Sequence, residues 1–325
     1  MDILNNRYIT YDKIKAFVEP KGNDLNEFGV NYGDVLFQRS SETLEDVGRA
    51  NVYLDNKTAL FGGFVIRGKK IGKYNPLFFR YLLSSPHVRK RIVVKGAGAQ
   101  HFNIGQDGLS KISIFVPTTK EQERIAKLLD LIDERIETQN RIIEDLEQLR
   151  SILNEKLIRH LNINEYKIED VCSTIACKAY IKNKYLEHGE YPIIQQGEKP
   201  IIGYADGTPF CEYDKAVLFG DHTLSLYRPV SPFFIATDGI KVLITKENVL
   251  RDYLYYAIAT YMPKSEGYKR HYNILKDVFI PVPPRDEQEA IARHLSVYDE
   301  KIETEYKILH LYKMQKQYLL NHMFI

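Results

Sequence analysis

Two long stretches of the chain carry apolar residues at helical spacing. From Ile125 to Leu157 apolar side chains recur every three, four or seven residues, with Glu, Lys and Arg between them, and residues Ile291 to Met323 repeat the pattern. Such a stripe is typical of a helix that packs along a heptad seam. Capping-box starts precede both stripes, one at Thr119 and one at Asp286. The predicted long helices span residues 119–161 and 285–325.

The starts of these helices belong to a repeat. The stretch Ile114–Thr138 returns as Ile280–Thr304 at a constant offset of 166 residues. The repeat superposes Pro117 on Pro283, Gln122 on Gln288, Ile125 on Ile291, Asp133 on Asp299 and Ile136 on Ile302. A repeat of this kind decides the architecture. The sequence therefore predicts two units, each closed by one long helix.

The two seams are complementary partners. The first helix has no internal Gly or Pro, and its length of about 60 Å at about 1.5 Å per residue is too great for it to fold onto one small domain. We expect the helices to form an antiparallel coiled coil that sets the two domains apart, related by an approximate twofold axis. Two unrelated core helices are the alternative.

Outside the helices the pattern changes to short runs of β-formers between Gly and charged turns, such as "GDVLFQRSS", "GGFVIRGKK", "AVLFGDHT" and "GIKVLITKENV". "NPLFFRYLLSS" and "NVLRDYLYYAIAT" predict short helices. The expected fold class is α+β, with one small mixed domain over residues 1–118 and another over 162–284.

Composition narrows the class further. A chain of 325 residues with 44% hydrophobic content can form two ordinary cores. No run approaches the roughly 18 apolar residues of a membrane span, and no apolar signal segment opens the chain, so we expect a cytoplasmic protein. Cys172, Cys177 and Cys211 do not have the spacing of a disulfide framework or a zinc site, and we expect no metal.

Charge is distributed unevenly. Residues 1–118 hold 17 Lys and Arg against 11 Asp and Glu, although the whole chain has a net charge of only +2. "HVRKRIVVKGAGAQHFN" and "MPKSEGYKRHYN" each place cations just before a His-aromatic-Asn sequence. Cations interleaved with Gly, Gln, Asn and Tyr suit a polyanion that is also read by hydrogen bonds. A solvated surface loop is the alternative, but its occurrence in both units favours nucleic acid.

The Pro-containing strand end, the Glu-Gln-x-x-Ile helix start, the tandem arrangement and the closing "YLLNHMFI" resemble the specificity subunit of type I restriction-modification enzymes. The resemblance covers nearly the whole chain. It implies two target recognition domains that read a bipartite double-stranded DNA site, and spacer helices that dock two methyltransferase subunits. Restriction subunits would join through the methyltransferases. It also implies that the chain itself has no catalytic residue or cofactor, and that S-adenosylmethionine lies on the partner.

The two units differ upstream of their shared "VLF". The second has 55 residues between the first helix and Val217, whereas only 34 precede Val35. The first recognition domain resembles one that lacks its opening segment, and a different domain variant would give the same difference.

Side chains that read bases need paired donors and acceptors, whereas phosphate contacts need cations and backbone amides. In the first domain the expected base-reading residues are Gln38, Arg39, Ser40, Ser41, Arg49, Asn51, Gln100, His101 and Asn103. Those expected on the phosphates are Arg89, Lys90, Arg91 and Lys95, with Gly96 and Gly98. In the second domain the base-reading candidates are Gln195, Gln196, His222, Thr223, His271, Tyr272 and Asn273, and the phosphate candidates are Lys264, Lys269 and Arg270. The paired His and Asn residues could equally be structural, with Asn fixing a turn.

Two other classes of protein fit the sequence less well. "NPLF" at Asn75 approaches the Asn-Pro-Pro-aromatic pattern of adenine methyltransferases, but Leu77 breaks it and no Gly-rich cofactor turn follows a strand. A coiled-coil adaptor without DNA binding would explain the helices but not the basic loops.

Overall fold

A computed structural model describes residues 2–98, 100–267 and 269–324. The chain divides into two compact units. The first unit runs to Arg141 and resumes at Tyr306, and the second runs from Ile142 to Glu305. Each unit therefore contains one mixed domain together with parts of both long helices.

The first unit is built on a three-stranded antiparallel sheet with the order β4-β2-β6. Its strands are β1 (Gly29–Val30), β2 (Val35–Gln38), β3 (Ser40–Ser41), β4 (Ala50–Val52), β5 (Ala59–Leu60), β6 (Val65–Gly68) and β7 (Phe102–Asn103). Its helices are α1 (Asp2–Asn5), α2 (Asp24–Glu27), α3 (Pro76–Ser84), α4 (Pro86–Val93), α5 (Gln106–Ser110) and the first part of α6 (Thr119–Asn154). Helices α3 and α4 supply Phe78, Leu82 and Ile92 to the core.

The second unit has a four-stranded antiparallel sheet with the order β13-β12-β15-β9. Its strands are β8 (Glu165–Lys167), β9 (Cys172–Thr174), β10 (Tyr191–Ile194), β11 (Ile201–Ala205), β12 (Ala216–Gly220), β13 (Leu226–Tyr227), β14 (Phe234–Ile235), β15 (Ile240–Thr245) and β16 (Phe279–Pro281). Its helices are α7 (Ile168–Val171), α8 (Arg251–Thr260), α9 (Tyr272–Leu275) and the first part of α10 (Arg285–His322). Every residue of β12 is buried, as expected of a central strand. The predicted α+β class is confirmed.

The long helices pair inside each unit. In the first unit Lys316 of α10 contacts Asp133 of α6 at 2.5 Å. In the second unit Arg150 of α6 contacts Asp299 of α10 at 2.7 Å. Moving along α6 from residue 133 to 150 thus takes the partner on α10 from 316 back to 299, which is antiparallel pairing as predicted. Helix α6 ends in a π-helical turn over Glu155–Arg159.

The repeated Gln fastens each long helix to its own domain. The Gln122 side chain accepts a hydrogen bond from the Asn75 amide at 2.9 Å and donates to the Pro117 carbonyl at 2.8 Å. Gln288 makes the same two bonds, from the Leu250 amide at 2.9 Å and to the Pro283 carbonyl at 2.8 Å. Both side chains are buried. The repeat therefore preserves a joint between the long helix and the start of α3 or α8.

The repeated Asp forms a second joint. Asp133 accepts from the Tyr81 hydroxyl at 2.9 Å, and Asp299 accepts from the Tyr256 hydroxyl at 2.6 Å. Burial, and then the neighbouring carboxylate, raise the pKa of Tyr81, and burial with the Asp299 hydrogen bond raises that of Tyr256. Both hydroxyls therefore keep their protons and act as donors at neutral pH.

Candidate nucleic-acid interface

Strands β3 and β7 gather much of the predicted polar set of the first unit. Ser40 pairs with Asn103 in this antiparallel ladder, and the Ser40 hydroxyl donates to the Asn103 side-chain oxygen. The Asn103 amide group donates to the His101 carbonyl at 3.3 Å. The amide of Ile104 donates to the Arg39 carbonyl at 2.9 Å. Residues far apart in sequence thus form one polar surface, on which Arg39, His101 and Asn103 are exposed.

The glycine-rich loop adjoins this surface. Ala97 and Asn103 exchange backbone hydrogen bonds of 3.0 and 2.9 Å. Gly98 has φ +150, and a Cβ there would overlap the His101 carbonyl. The loop can therefore pass beside β7 only with glycine at this position. Gly96, Gly98 and Gln100 lie in this loop, and Gln100 is exposed.

Two predicted base readers of the first unit lie beneath the surface. The Asn51 amide group donates to the carbonyls of Ile3 at 3.0 Å and Asn6 at 2.8 Å, and the Asn51 side-chain oxygen accepts from the Val52 amide. Gln38 is also buried, and it donates to the Ser40 carbonyl at 2.8 Å. Both predicted base readers are thus buried and bonded to backbone groups, because the alternation of β2 and β4 turns them inward.

The cations of the first unit divide into two groups. Arg89 donates to the carbonyls of Glu45 at 2.7 Å and Val47 at 2.8 Å, and burial, followed by neighbouring Arg49, lowers its pKa. Arg49 is paired with Asp46, and Arg91 donates to the Ser113 carbonyl. Arg89 and Arg91 hold loops together, whereas Arg49 is exposed. Lys90 and Lys95, by contrast, are exposed on and just after α4, the helix that begins at Pro86.

In the second unit the turn after β12 carries the polar candidates. The His222 amide donates to the Gln196 side-chain oxygen at 3.1 Å, so the two segments lie side by side. Thr223 is exposed and hydrogen-bonds Ser225 at 2.8 Å. Leu224 has φ +56, the one positive value at a non-glycine position among the described residues. Because this conformation is costly for leucine, the turn is held by its surroundings.

Gln195, beside Gln196, is half-buried and donates to the Lys199 carbonyl at 2.9 Å.

His271, one of the predicted base readers, has the contacts of the structural alternative. It is fully buried, its amide donates to the Asp221 carbonyl at 2.8 Å, and its Nε2 accepts from the Glu266 amide at 3.0 Å. Nδ1 then carries the proton and donates to the same Asp221 carbonyl at 3.1 Å. The Tyr272 backbone amide donates to the Asp221 carboxylate at 2.8 Å, and the residue is half-buried. Asn273 is exposed.

The predicted cations of the second unit all lie at its surface. Lys269 pairs with Glu266 at 3.4 Å, and Arg270 pairs with Asp238 at 3.1 Å. Lys264 is exposed. Exposed ion pairs of this kind contribute little to stability, so these cations can exchange their partners for phosphates at small cost.

Other chemistry finds little support. Asn75 caps α3, because its side-chain oxygen accepts from the Phe78 amide at 3.0 Å. Among residues 2–98, 100–267 and 269–324, no three His, Cys, Asp or Glu side chains are placed to hold a metal ion. The same residues include no helix long and apolar enough to cross a membrane.

Two α+β units with exposed polar and basic loops, continuous with paired long helices, define a tandem protein of the DNA-recognition class. The chain belongs to the type I restriction modification DNA specificity domain family, which matches residues 3–148 and 161–311. The family is a non-catalytic recognition domain, so the adenine methyltransferase alternative is wrong.

Relatives agree with this assignment, and a solved structure has a similar fold. The chain is 25% identical to the putative type I restriction enzyme MjaX specificity subunit of Methanocaldococcus jannaschii, over 99% of this chain and 84% of that one. It is 24% identical to the MjaVIII specificity subunit of the same organism, over 91% and 79%. A type I restriction-modification S subunit from M. genitalium has a similar fold, with a TM-score of 0.61 at 18% identity over 92% of this chain and 85% of that one.

Proposed function

We propose that the chain reads a bipartite double-stranded DNA target, one half-site with each unit, and directs partner adenine methyltransferase and restriction subunits to it. The observation that carries this proposal is the surface formed by β3 and β7, where separate segments converge on exposed hydrogen-bonding side chains. Paired donors and acceptors at such a surface suit base edges in the major groove. The protein would act in the cytoplasm, with its DNA.

The base-reading set keeps the predicted base-reading residues that are exposed or half-buried, apart from Tyr272. In the first unit we assign this role to Arg39, Ser40, Ser41, Arg49, Gln100, His101 and Asn103. In the second unit it comprises Gln195, Gln196, His222, Thr223 and Asn273. The phosphate set is Lys90, Lys95, Lys264, Lys269 and Arg270. Arg89, Arg91, Gln38, Asn51, His271 and Tyr272 would support these residues from below.

Methyltransferase subunits would dock on the starts of the long helices. Leu131 on α6 and Val297 on α10 occupy equivalent repeat positions, and both are exposed although apolar. Exposed apolar residues that recur at matching positions indicate contact surfaces. We expect two methyltransferase subunits per chain, with S-adenosylmethionine bound to them and the restriction subunits attached through them. Native mass measurement of the complex gives the number directly, and a single methyltransferase per chain would contradict it.

The test is DNA methylation by single-molecule sequencing after co-expression with a cognate methyltransferase subunit. We expect a bipartite adenine motif in which Asn103→Ala alters one half and Asn273→Ala alters the other. Asn56→Ala is the matched control, because Asn56 is an exposed asparagine outside the proposed surface. An identical motif in all four proteins would refute the assignment of these residues.

DNA binding measured across a series of salt concentrations distinguishes the proposed DNA reader from a coiled-coil adaptor without DNA binding. Binding through Z phosphates weakens with the logarithm of salt concentration at a slope of about −0.9Z, whereas an adaptor shows no DNA binding at any salt concentration. DNA binding by the methyltransferase is measured with and without this chain, and the difference between the two gives the contribution of the chain.

A further inference from the structure

The loops that carry the candidate base readers of the second unit meet at one end of its strands. Strand β12 ends at Gly220 opposite Ile240, the first residue of β15, so the turn after β12 lies beside the turn before β15. Strands β10 and β14 run parallel and end side by side at Ile194 and Ile235. The Ala236 amide donates to the Ile194 carbonyl at 2.8 Å. The turn between β14 and β15 therefore adjoins the loops after both β10 and β12.

This turn contacts two of the candidate base readers. The Asp221 amide donates to the Gly239 carbonyl at 2.8 Å. A Cβ on Gly239 would come within 2.8 Å of Gln196 Nε2 and 3.4 Å of His222 Cδ2, so both candidate side chains lie against this glycine. Asp238, the preceding residue, is therefore placed directly beside them, although it has no role in the base-reading set.

The backbone of Asp238 is held, whereas its side chain is exposed. Its carbonyl accepts from the Lys241 ammonium group at 3.2 Å. Its carboxylate pairs with Arg270 at 3.1 Å, and the two side chains are 69% and 55% exposed. Because an ion pair this exposed contributes little to stability, the stability of the fold does not account for an acidic residue here.

The chemistry of a carboxylate restricts what it can contact on DNA. A carboxylate has acceptors only, and it repels the phosphates. In the major groove cytosine and adenine present an amino donor, whereas guanine and thymine present acceptor oxygens. The usual partner of an aspartate there is the N4 amino group of cytosine. An aspartate on a reading surface therefore favours one class of base and rejects the other.

We propose that Asp238 is a specificity-determining residue of the second unit, and that its carboxylate accepts a hydrogen bond from the amino group of a cytosine in the half-site. This inference rests on the proposed function, in which the second unit reads one half-site. When Arg270 leaves Asp238 for a phosphate, the cytosine amino group replaces it as the donor. A base without an amino group would leave the carboxylate without a partner, which costs binding energy.

The test measures base preference with the full chain bound to its methyltransferase. Single-molecule sequencing gives the motif, and competition binding with duplexes changed at each position of the second half gives the preference at that position. We expect Asp238→Asn to lower the preference for cytosine at one position by about five- to 150-fold, because asparagine suits adenine instead. The first half should be unchanged. Asp214→Asn is the matched control, since Asp214 is exposed and precedes β12, at the opposite end of that strand.

A second probe removes the donor from the DNA. A cytosine analogue without the amino group, placed at that position, should weaken binding by the wild type and by Asp214→Asn at least about fivefold more than binding by Asp238→Ala. Equal weakening in all three proteins would overturn the inference.

Three other results would also count against it. One is a second half-site without cytosine on either strand, and another is an Asp238→Asn protein with the base preference of the wild type. The third is a change in affinity that is the same for every duplex, because Asp238 would then act through its charge alone. If Asn273→Ala still alters the half-site, the proposed function stands and only the role of Asp238 fails. A wild type without any bipartite motif refutes both.

Discussion

Asp299 is the junction of three side chains in the second unit, and Asp299→Asn tests how much that junction stabilises it. The carboxylate accepts from Tyr256 at 2.6 Å, Arg150 at 2.7 Å and Arg228 at 3.0 Å. Asparagine keeps the shape but removes the charge and one acceptor. Arg150 and Arg228 would then remain close together without their shared anion.

The magnitude follows from the contacts. The hydrogen bond from Tyr256 to a charged group contributes about 1.5–3 kcal/mol. The arginine side chains are 37% and 20% exposed, so each pair contributes only about 0.5 kcal/mol after solvent screening. We expect Asp299→Asn to reduce the free energy of unfolding by about 2–4 kcal/mol.

Urea unfolding followed by far-UV circular dichroism measures the loss. With a slope of about 2 kcal/mol per molar urea, the midpoint of the second unit should fall by about 1–2 M. Glu300→Gln, at the exposed neighbouring position, is the matched control. Combining Asp299→Asn with Tyr256→Phe should show a coupling of about 1 kcal/mol or more. A loss equal to that of Glu300→Gln would refute the reasoning.

Three further predictions follow from the same contacts. Asn51→Ala should lower the free energy of unfolding by about 1–3 kcal/mol, because it leaves the carbonyls of Ile3 and Asn6 without their donor. Urea denaturation measures the loss, and an unchanged midpoint would contradict the prediction. Lys90→Gln and Lys95→Gln should each reduce the salt slope of DNA binding by about 1, with Lys127→Gln, exposed on α6, as the control that leaves it unchanged. Burial raises the pKa of Cys172 to about 12, so its thiolate is scarce below that pH. Cys211 is exposed and should therefore be alkylated before Cys172 at pH 8. Mass spectrometry of the labelled peptides measures the order, and the reverse order would contradict the prediction.

The long helices and their pairing could be predicted from sequence. Heptad spacing and capping residues are local patterns, and each seam has one matching partner in the chain. The strands around Val35 and Val217 could be predicted for the same reason, because a short apolar run between turns has few other solutions.

The candidate site could be predicted less well. "HFNI" and "HYNI" look equivalent, yet His101 is exposed beside β7 whereas His271 is buried under the turn at Asp221. No local pattern distinguishes them, because Asp221, which accepts from His271, lies 50 residues away. Gln122 and Gln288 show the opposite case, since the repeat marked them but gave no sign that they join helix to domain.

The sequence by itself determined the number of units, the two long helices and their antiparallel seam, because these depend on periodicity and on recurrence at a fixed offset. Only the tertiary structure decided which polar side chains reach the surface and which hold loops from below. The exposure of a side chain depends on contacts between segments that are distant in sequence, and the sequence of one segment does not specify which other segment it contacts.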